Sequence, residues 1–159
     1  MVQPASVQRV IDAARDLGLE IEVHKFPEGT RTAEDAARAI GVSLGQIVKS
    51  LVFMADGRAV ICFVSGTNRL DTDRLAAATG TTEVRRANAD EVREATGFAV
   101  GGVPPFGHAT AVTVFCDPDL LQYDAVWAAG GTPMTVFPIA PQALVKACNA
   151  TVTDLKEAQ

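Results

Sequence analysis

The sequence predicts an α+β fold, not a doubly wound α/β one, and two features carry that reading. Helix-like and strand-like segments are interspersed, yet Asp56-Gly57 lies between two apolar runs and signals a tight hairpin, which makes the flanking strands antiparallel. The run Ile47-Val48-Lys49-Ser50-Leu51-Val52-Phe53-Met54 alternates Lys49, Leu51 and Phe53 on one face with Val48, Ser50, Val52 and Met54 on the other. Both faces are apolar further along, the pattern of a strand covered on both sides. A chain of 159 residues without repeats, low-complexity tracts or a linker reads as one domain over residues 1–159. That length buries about two-thirds of the unfolded surface.

The elements follow in order. Ser6 as N-cap opens a first helix with Val7, Val10, Ile11, Ala14 and Leu17 on one face, and Gly18 stops it. Residues 21–26 alternate as a strand. Thr32 with Asp35 forms a capping box for a helix ending near Gly41, and Ser43 with Gln46 repeats that pattern over one turn. The strand around Lys49 turns at Asp56-Gly57 and returns over residues 58–64. Residues 71–78 form a short helix stopped by Gly80, and residues 82–86 a strand. Asn88 with Glu91 caps a helix that Gly97 ends. Residues 111–116 form an apolar strand halted by Asp117-Pro118. Short strands near 125–128 and 134–137 flank Gly130-Gly131-Thr132-Pro133, and a helix over Pro141–Cys148 follows.

Hydrophobic residues make up 48% and charged ones 21%, ordinary for a globular chain. No apolar run approaches the ~20 residues of a spanning helix, so no membrane partner is expected. Met1-Val2-Gln3-Pro4 lacks a basic segment leading into an apolar core, so no leader is expected and the expected compartment is the cytoplasm. Cys62, Cys116 and Cys148 are odd in number and lack metal-ligand spacing, which predicts reduced thiols and no metal. Net charge is −5 and no basic run exceeds Arg85-Arg86, which weighs against DNA and against a grip on a nucleic-acid body. Contact with one or two nucleotides of a single-stranded end stays compatible. The signatures of serine hydrolases, zinc peptidases, P-loops and dinucleotide sites are absent.

Two features bear on chemistry. Gly101-Gly102-Val103-Pro104-Pro105-Phe106-Gly107 combines glycines, which admit positive φ and close approach, with prolines, which fix φ and remove donors. It is either a rigid loop with a few amides left to point at a ligand or a tight turn between packed elements. Lys49, entering an apolar strand, either lines a cleft or guards a sheet edge. His108 follows the loop directly, as a site neighbour or a solvent-facing residue, and His24 is structural or a cleft-wall residue.

Ile47-Val48-Lys49-Ser50-Leu51 and the segment from Thr96-Gly97-Phe98 through Gly107 resemble the YbaK/prolyl-tRNA-synthetase-associated family, editing domains that hydrolyse misacylated aminoacyl-tRNA. The resemblance runs from about Val23 to Leu155 and takes in Thr32, Asp117, Gly130-Gly131 and Pro141-Gln142-Ala143-Leu144-Val145. It implies a curved mixed sheet, partly barrel-like, with surrounding helices. It implies hydrolysis of the ester at the 3′ acceptor end without metal or organic cofactor, a role for Lys49 in activity, and prolyl-tRNA synthetase as a candidate partner.

An aminoacyl ester is already activated, so placing the carbonyl, stabilising the oxyanion and positioning an attacking group suffice. On this reading amides around Gly101 and Gly102 contact the carbonyl, and Pro104 and Pro105 hold the loop rigid. Lys49 meets the phosphate or ribose hydroxyls of the terminal adenosine. Ser50 is a hydrogen-bonding neighbour or a core-facing serine, and Asp117 either orients the substrate amino group or forms the turn before Pro118. Phe106, Gly107, His108 and Gly130 are expected at the substrate pocket. The implied activity is a free-standing deacylase for Cys-tRNA(Pro) or Ala-tRNA(Pro). The alternative is a non-catalytic module that binds aminoacyl-tRNA or a synthetase.

Overall fold

The computed structural model describes residues 4–27 and 30–158; Met1-Val2-Gln3, read above for a leader, lie outside them. The hairpin forms where Asp56-Gly57 placed it. Strand β2 (Val48–Ala55) and strand β3 (Arg58–Ser65) pair antiparallel from Val48↔Ser65 to Ala55↔Arg58. Asp56 (φ 46°) and Gly57 (φ 82°) both lie in the left-handed region, as a two-residue hairpin turn with native twist requires.

Around this hairpin the strands β4 (Val84–Arg86), β5 (Thr113–Cys116) and β8 (Thr151–Val152) complete a five-stranded sheet of order β4-β2-β3-β5-β8. Its β3–β5 and β5–β8 pairs are parallel, so the sheet is mixed. A second, antiparallel sheet has the order β1-β7-β6, from β1 (His24–Lys25), β6 (Val126–Ala129) and β7 (Thr135–Ile139). The expected α+β domain with a mixed sheet is present, its strands divided between two sheets that are joined where Ile47 bridges Trp127. Of residues 21–26, only His24 and Lys25 reach a partner strand, opposite Val136 and Thr135.

The helices show why capping signals read well. Helix α2 (Ala33–Ile40) carries the complete Thr32/Asp35 box, and α4 (Ala89–Thr96) the Asn88/Glu91 box. Asp71 accepts from the Asp73 and Arg74 amides at the start of α3 (Thr72–Thr79). Helix α1 (Ala5–Asp16) departs from expectation: Pro4 is its N-cap and Ser6 lies inside its first turn. Proline presets the entry φ, so the helix starts without a side-chain cap. Val7, Val10 and Ala14 of α1 are buried, but the helix ends before Leu17 and leaves that side chain exposed. Helix α5 (Pro141–Cys148) matches its expected span.

The hydrophobic interior lies on both sides of the β2–β3 hairpin. Val48, Val52, Ile61 and Phe63 face one cluster that takes in Val10, Phe98, Val103, Phe106, Phe137 and Leu144. Phe53, Ala55, Val60, Cys62 and Val64 face the other, against Leu75, Phe115 and Leu155. Burying a side chain such as Phe63 contributes about 1.5–3 kcal/mol. Strand alternation thus sends consecutive residues into different interiors, which is why the hairpin sequence is apolar almost throughout. Among the described residues no helix is long and apolar enough to cross a membrane.

Candidate active site

A cleft of about 410 Å³ opens at the start of β2, against Val100, Gly101 and Val103 of the glycine–proline loop, Trp127 and Ala129 of β6, Pro133, and Arg31 ahead of α2. It exists because β2 has an unpaired stretch on one edge. Ile47 bridges Trp127 at one end of that stretch, and β4 pairs only with Phe53–Ala55 at the other. The Ile47 carbonyl accepts from the Gly66 amide on the β3 side, while the Val52 carbonyl accepts from the Ala87 amide on the opposite side. In an antiparallel ladder successive residues point their backbone groups to opposite sides. Ser50, two residues before Val52, therefore turns its N–H and C=O towards the unpaired edge. Its hydroxyl is buried and has no hydrogen-bond partner among the described residues.

Lys49 and Ser50 both line this cleft, on opposite faces of the strand. The Lys49 ammonium donates to the backbone carbonyl of Asn68. Burial lowers the Lys49 pKa, Arg69 and Arg86 lower it further, and Glu34 and Asp117 oppose them. Arg86 lines the cleft too, its guanidinium 5.7 Å from the centre of the Phe53 ring. Lys49 therefore stands among cations in a chain of net charge −5. Such a concentration of positive charge favours an anionic ligand.

The glycine–proline loop divides into two parts. Gly101 lines the cleft at φ 86°, a conformation that favours glycine, and its N–H has no acceptor among the described residues. Gly102 differs: its N–H donates to the Ala99 carbonyl at 3.0 Å. A Cβ at Gly102 would lie 2.7 Å from the Thr132 carbonyl carbon, so the glycine there serves close backbone packing. Of the pair expected to offer amides, Gly101 alone has one unengaged. Val103 also lines the cleft, but Pro104, Pro105 and Phe106 are buried behind it, with Phe106 against Phe137 at 5.7 Å between ring centres. The His108 Nε2 lies 2.6 Å from the Pro104 carbonyl, and burial lowers that imidazole's pKa. His108 thus ties the loop back on itself.

Asp117 is fully buried, with both carboxylate oxygens engaged: Oδ2 accepts from the Ser65 amide at 3.1 Å and from Asn68 Nδ2 at 2.7 Å, and Oδ1 from the Asp119 amide at 2.9 Å. Gly107 and Gly130, like Asp117, lie outside the cleft lining, and Gly130 packs against Val23 and Thr135. The His24 ring lies 5.6 Å from that of Trp127, tilted 59° to it, outside that lining. Burial pushes the thiols of Cys62, Cys116 and Cys148 up to about 12, so none is a thiolate at neutral pH. Among the described residues no cluster of three or more His, Cys, Asp or Glu side chains is placed to hold a metal ion. Arg86 and Trp127 were not singled out from sequence. Arg86 carried a weak signal as half of the longest basic run, whereas Trp127 is recognisable only once β6 is placed beside Ile47.

Comparison with known proteins bears on what such a cleft does. A profile of the aminoacyl-tRNA editing domain matches residues 27–147. The chain belongs to that family. It superposes with a TM-score of 0.94, over 99% of its own length and 100% of the other chain, on the crystal structure of a provisionally assigned trans-editing enzyme for prolyl-tRNA synthetase, at 46% identity. It is 26% identical, over 85% of this chain and 88% of the relative, to a protein of Enterococcus faecalis provisionally named Cys-tRNA(Pro)/Cys-tRNA(Cys) deacylase EbsC. It is 34% identical over 102 residues to proline–tRNA ligase of Nitratidesulfovibrio vulgaris, a match covering 64% of this chain and 18% of the ligase. The editing domain is thus of the YbaK type anticipated from the Lys49 and Gly101–Gly107 segments, an α+β hydrolase acting on mischarged aminoacyl-tRNA.

Proposed function

We propose that the cleft receives the aminoacylated 3′ end of tRNA(Pro), and that the chain is a free-standing, single-domain deacylase that removes alanine or cysteine from it. The observation that carries this reading is the meeting of an ammonium (Lys49), an unengaged amide (Gly101) and an unpartnered hydroxyl (Ser50) in one largely apolar cleft. The Gly101 N–H donates to the ester carbonyl oxygen and stabilises the charge that develops there. Lys49 has two ammonium hydrogens left after its bond to Asn68, and these hold a phosphate or ribose oxygen of the terminal adenosine. The Ser50 hydroxyl and strand edge hold the amino group of the substrate.

With alanine, a water adds to the carbonyl carbon. The bond from that carbon to the ribose oxygen then breaks, the oxygen takes up a proton, and alanine leaves. With cysteine, the substrate's own thiol takes the place of the water: its sulfur bonds to the carbonyl carbon, the ribose oxygen leaves with the thiol's proton, and water then opens the resulting thiolactone to free cysteine. Neither route requires a nucleophile from the protein, consistent with three thiols held protonated and two histidines outside the cleft lining. The names of the compared trans-editing enzyme and deacylase support the choice of tRNA(Pro). The net charge of −5 supports recognition confined to the acceptor end, with prolyl-tRNA synthetase as the candidate partner that supplies the rest.

The test is hydrolysis of Ala-, Cys- and Pro-tRNA(Pro), with cognate Ala-tRNA(Ala) and Cys-tRNA(Cys), by wild type and Lys49→Ala. Release of alanine or cysteine from tRNA(Pro), sparing proline and lost in the variant, is expected. A folded protein that binds these tRNAs and releases nothing would make it a binding module.

A further inference from the structure

We propose that the turn from Ser65 to Asn68 is a seat that aims Lys49 into the cleft, with Asn68 as a positioning residue, and that the C-terminal segment holds this seat through Lys156. The proposal rests on Lys49 being the working cation of the cleft.

The Lys49 ammonium is anchored on the Asn68 carbonyl, so its direction depends on where that turn sits. Asn68 is only 3% exposed, and its one amide nitrogen serves two carboxylates, Asp117 Oδ2 at 2.7 Å and Asp119 Oδ2 at 2.8 Å. Asp117 also takes the Ser65 amide, and the Asn68 amide donates to the Ser65 carbonyl at 2.9 Å, so both ends of the turn are fixed to one buried anion. The Asn68 amide keeps the two carboxylates together by offering each a hydrogen. Without it they would face each other with no shared donor, and like charges at such range repel. The turn would open, and the carbonyl holding Lys49 would move with it.

The third support comes from outside the family match, which ends at residue 147. Lys156 Nζ donates to Asp119 Oδ2 at 2.9 Å and offsets the second carboxylate. The segment around Lys156 is itself pinned beside the seat: the Asp71 amide donates to the Leu155 carbonyl at 2.7 Å, the Glu157 amide to the Arg69 carbonyl at 2.7 Å, and Leu155 is fully buried. A path of direct contacts therefore runs from Lys156 through Asp119 and Asn68 to Lys49. Asp117, expected at the substrate, acts within this support and two contacts away from the cleft.

The decisive experiment compares wild type, Asn68→Ala, Lys156→Met and Lys49→Ala in full-length protein, measuring deacylation kinetics and titrating the Lys49 side chain by ¹³Cε NMR. Loss of an outer partner that orients a working group typically costs about 10–100-fold in activity. Asn68→Ala is expected to lower kcat/KM by about that factor, and to move the Lys49 midpoint upward as the ammonium leaves its buried position. Lys156→Met, a change at the surface that spares the fold, is expected to shift both readouts the same way by a smaller factor. A purely structural role would reduce the folded fraction and leave the Lys49 titration of the folded molecules where it was. Wild-type kinetics and titration in folded Asn68→Ala would overturn the seat. Should that variant not fold, the same result in Lys156→Met would overturn it. Full activity in Lys49→Ala would remove the catalytic reading of the cleft, while the Lys49 titration would still decide whether Asn68 seats it.

Discussion

Two hollows stand out among the described residues, and the larger of them is not the one where the chemistry gathers. Beside the Asp56-Gly57 turn a groove of about 860 Å³ runs between the end of α3 and the start of β5, twice the size of the Lys49 cleft at about 410 Å³. The groove is rich in polar residues, yet most are already engaged. The Asp56 carboxylate takes the Thr82 and Glu83 amides, Thr79 bonds to the Leu75 carbonyl and to Thr81, and Thr110 bonds to the Ala95 carbonyl. In the cleft, among the described residues, the buried Ser50 hydroxyl has no partner, and the exposed Gly101 keeps an amide free for a ligand. Native proteins satisfy nearly all their buried polar groups, so an exception is a better sign of a ligand than volume is.

Lys49→Ala breaks this comparison most severely. If the cleft works through its cation, deacylation falls by about 10²–10³ or more, the range seen when one group stabilising a transition state is removed. Stability holds or rises slightly, because burial already disfavours the charge on Lys49. A melting curve alongside the assay separates the cases: a large fall in melting temperature with unchanged specific activity would make Lys49 a structural residue.

The adjacent glycines sharpen the contrast between an unengaged amide and an engaged one. Gly101→Ala should lower kcat by about 10², since alanine resists φ 86° and tilts the amide away from the carbonyl it serves. Its space is open, the nearest atom to a Cβ being Pro133 Cβ at 3.7 Å, so the fold should survive. Gly102→Ala should instead lose about 1–3 kcal/mol of stability, because its Cβ would overlap the Thr132 backbone at 2.7 Å. Full turnover in folded Gly101→Ala would remove the oxyanion role. Ser50→Ala comes next in size. Loss of one neutral hydrogen bond to substrate predicts about a tenfold fall in kcat/KM. Stability should not drop, since that hydroxyl bonds to nothing among the described residues. A destabilised Ser50→Ala would mean the hydroxyl has a protein partner after all.

Much of this was legible in the sequence wherever a short local rule decides the outcome. The Thr32/Asp35 and Asn88/Glu91 boxes and the Asp56-Gly57 turn each act within four residues, and all formed as read. Ser6 failed as a cap because Pro4 already sets the entry of α1, and β8 escaped notice because two residues carry no periodicity. The cleft was half legible. Lys49, Ser50 and Gly101 line it, but Asp117 and His108 face inward to engaged partners, since an expected site residue and a turn-forming residue look alike until the acceptors around them are placed. Arg31 and Trp127 enter the cleft only through long-range packing. No local spacing predicts that Ile47 bridges Trp127 across the gap between the two sheets.

The smallest expected effect is the one that tests the lesson itself. Arg58 and Thr113 line the larger groove, both side chains are exposed, and neither makes a hydrogen bond or ion pair through its side chain among the described residues. Arg58→Ala and Thr113→Val should each leave kcat/KM for the edited aminoacyl-tRNA at the wild-type value, with stability within about 0.5 kcal/mol, as for surface positions free of special contacts. The assay is the one used for Ser50→Ala, run side by side. A fall in either groove variant comparable to the Ser50→Ala fall would mean that the groove takes part in handling tRNA. Unpartnered polar atoms would then be too narrow a criterion, and the extended acceptor stem, not its 3′ end alone, would have to be followed across the sheet from Lys49 to the hairpin turn.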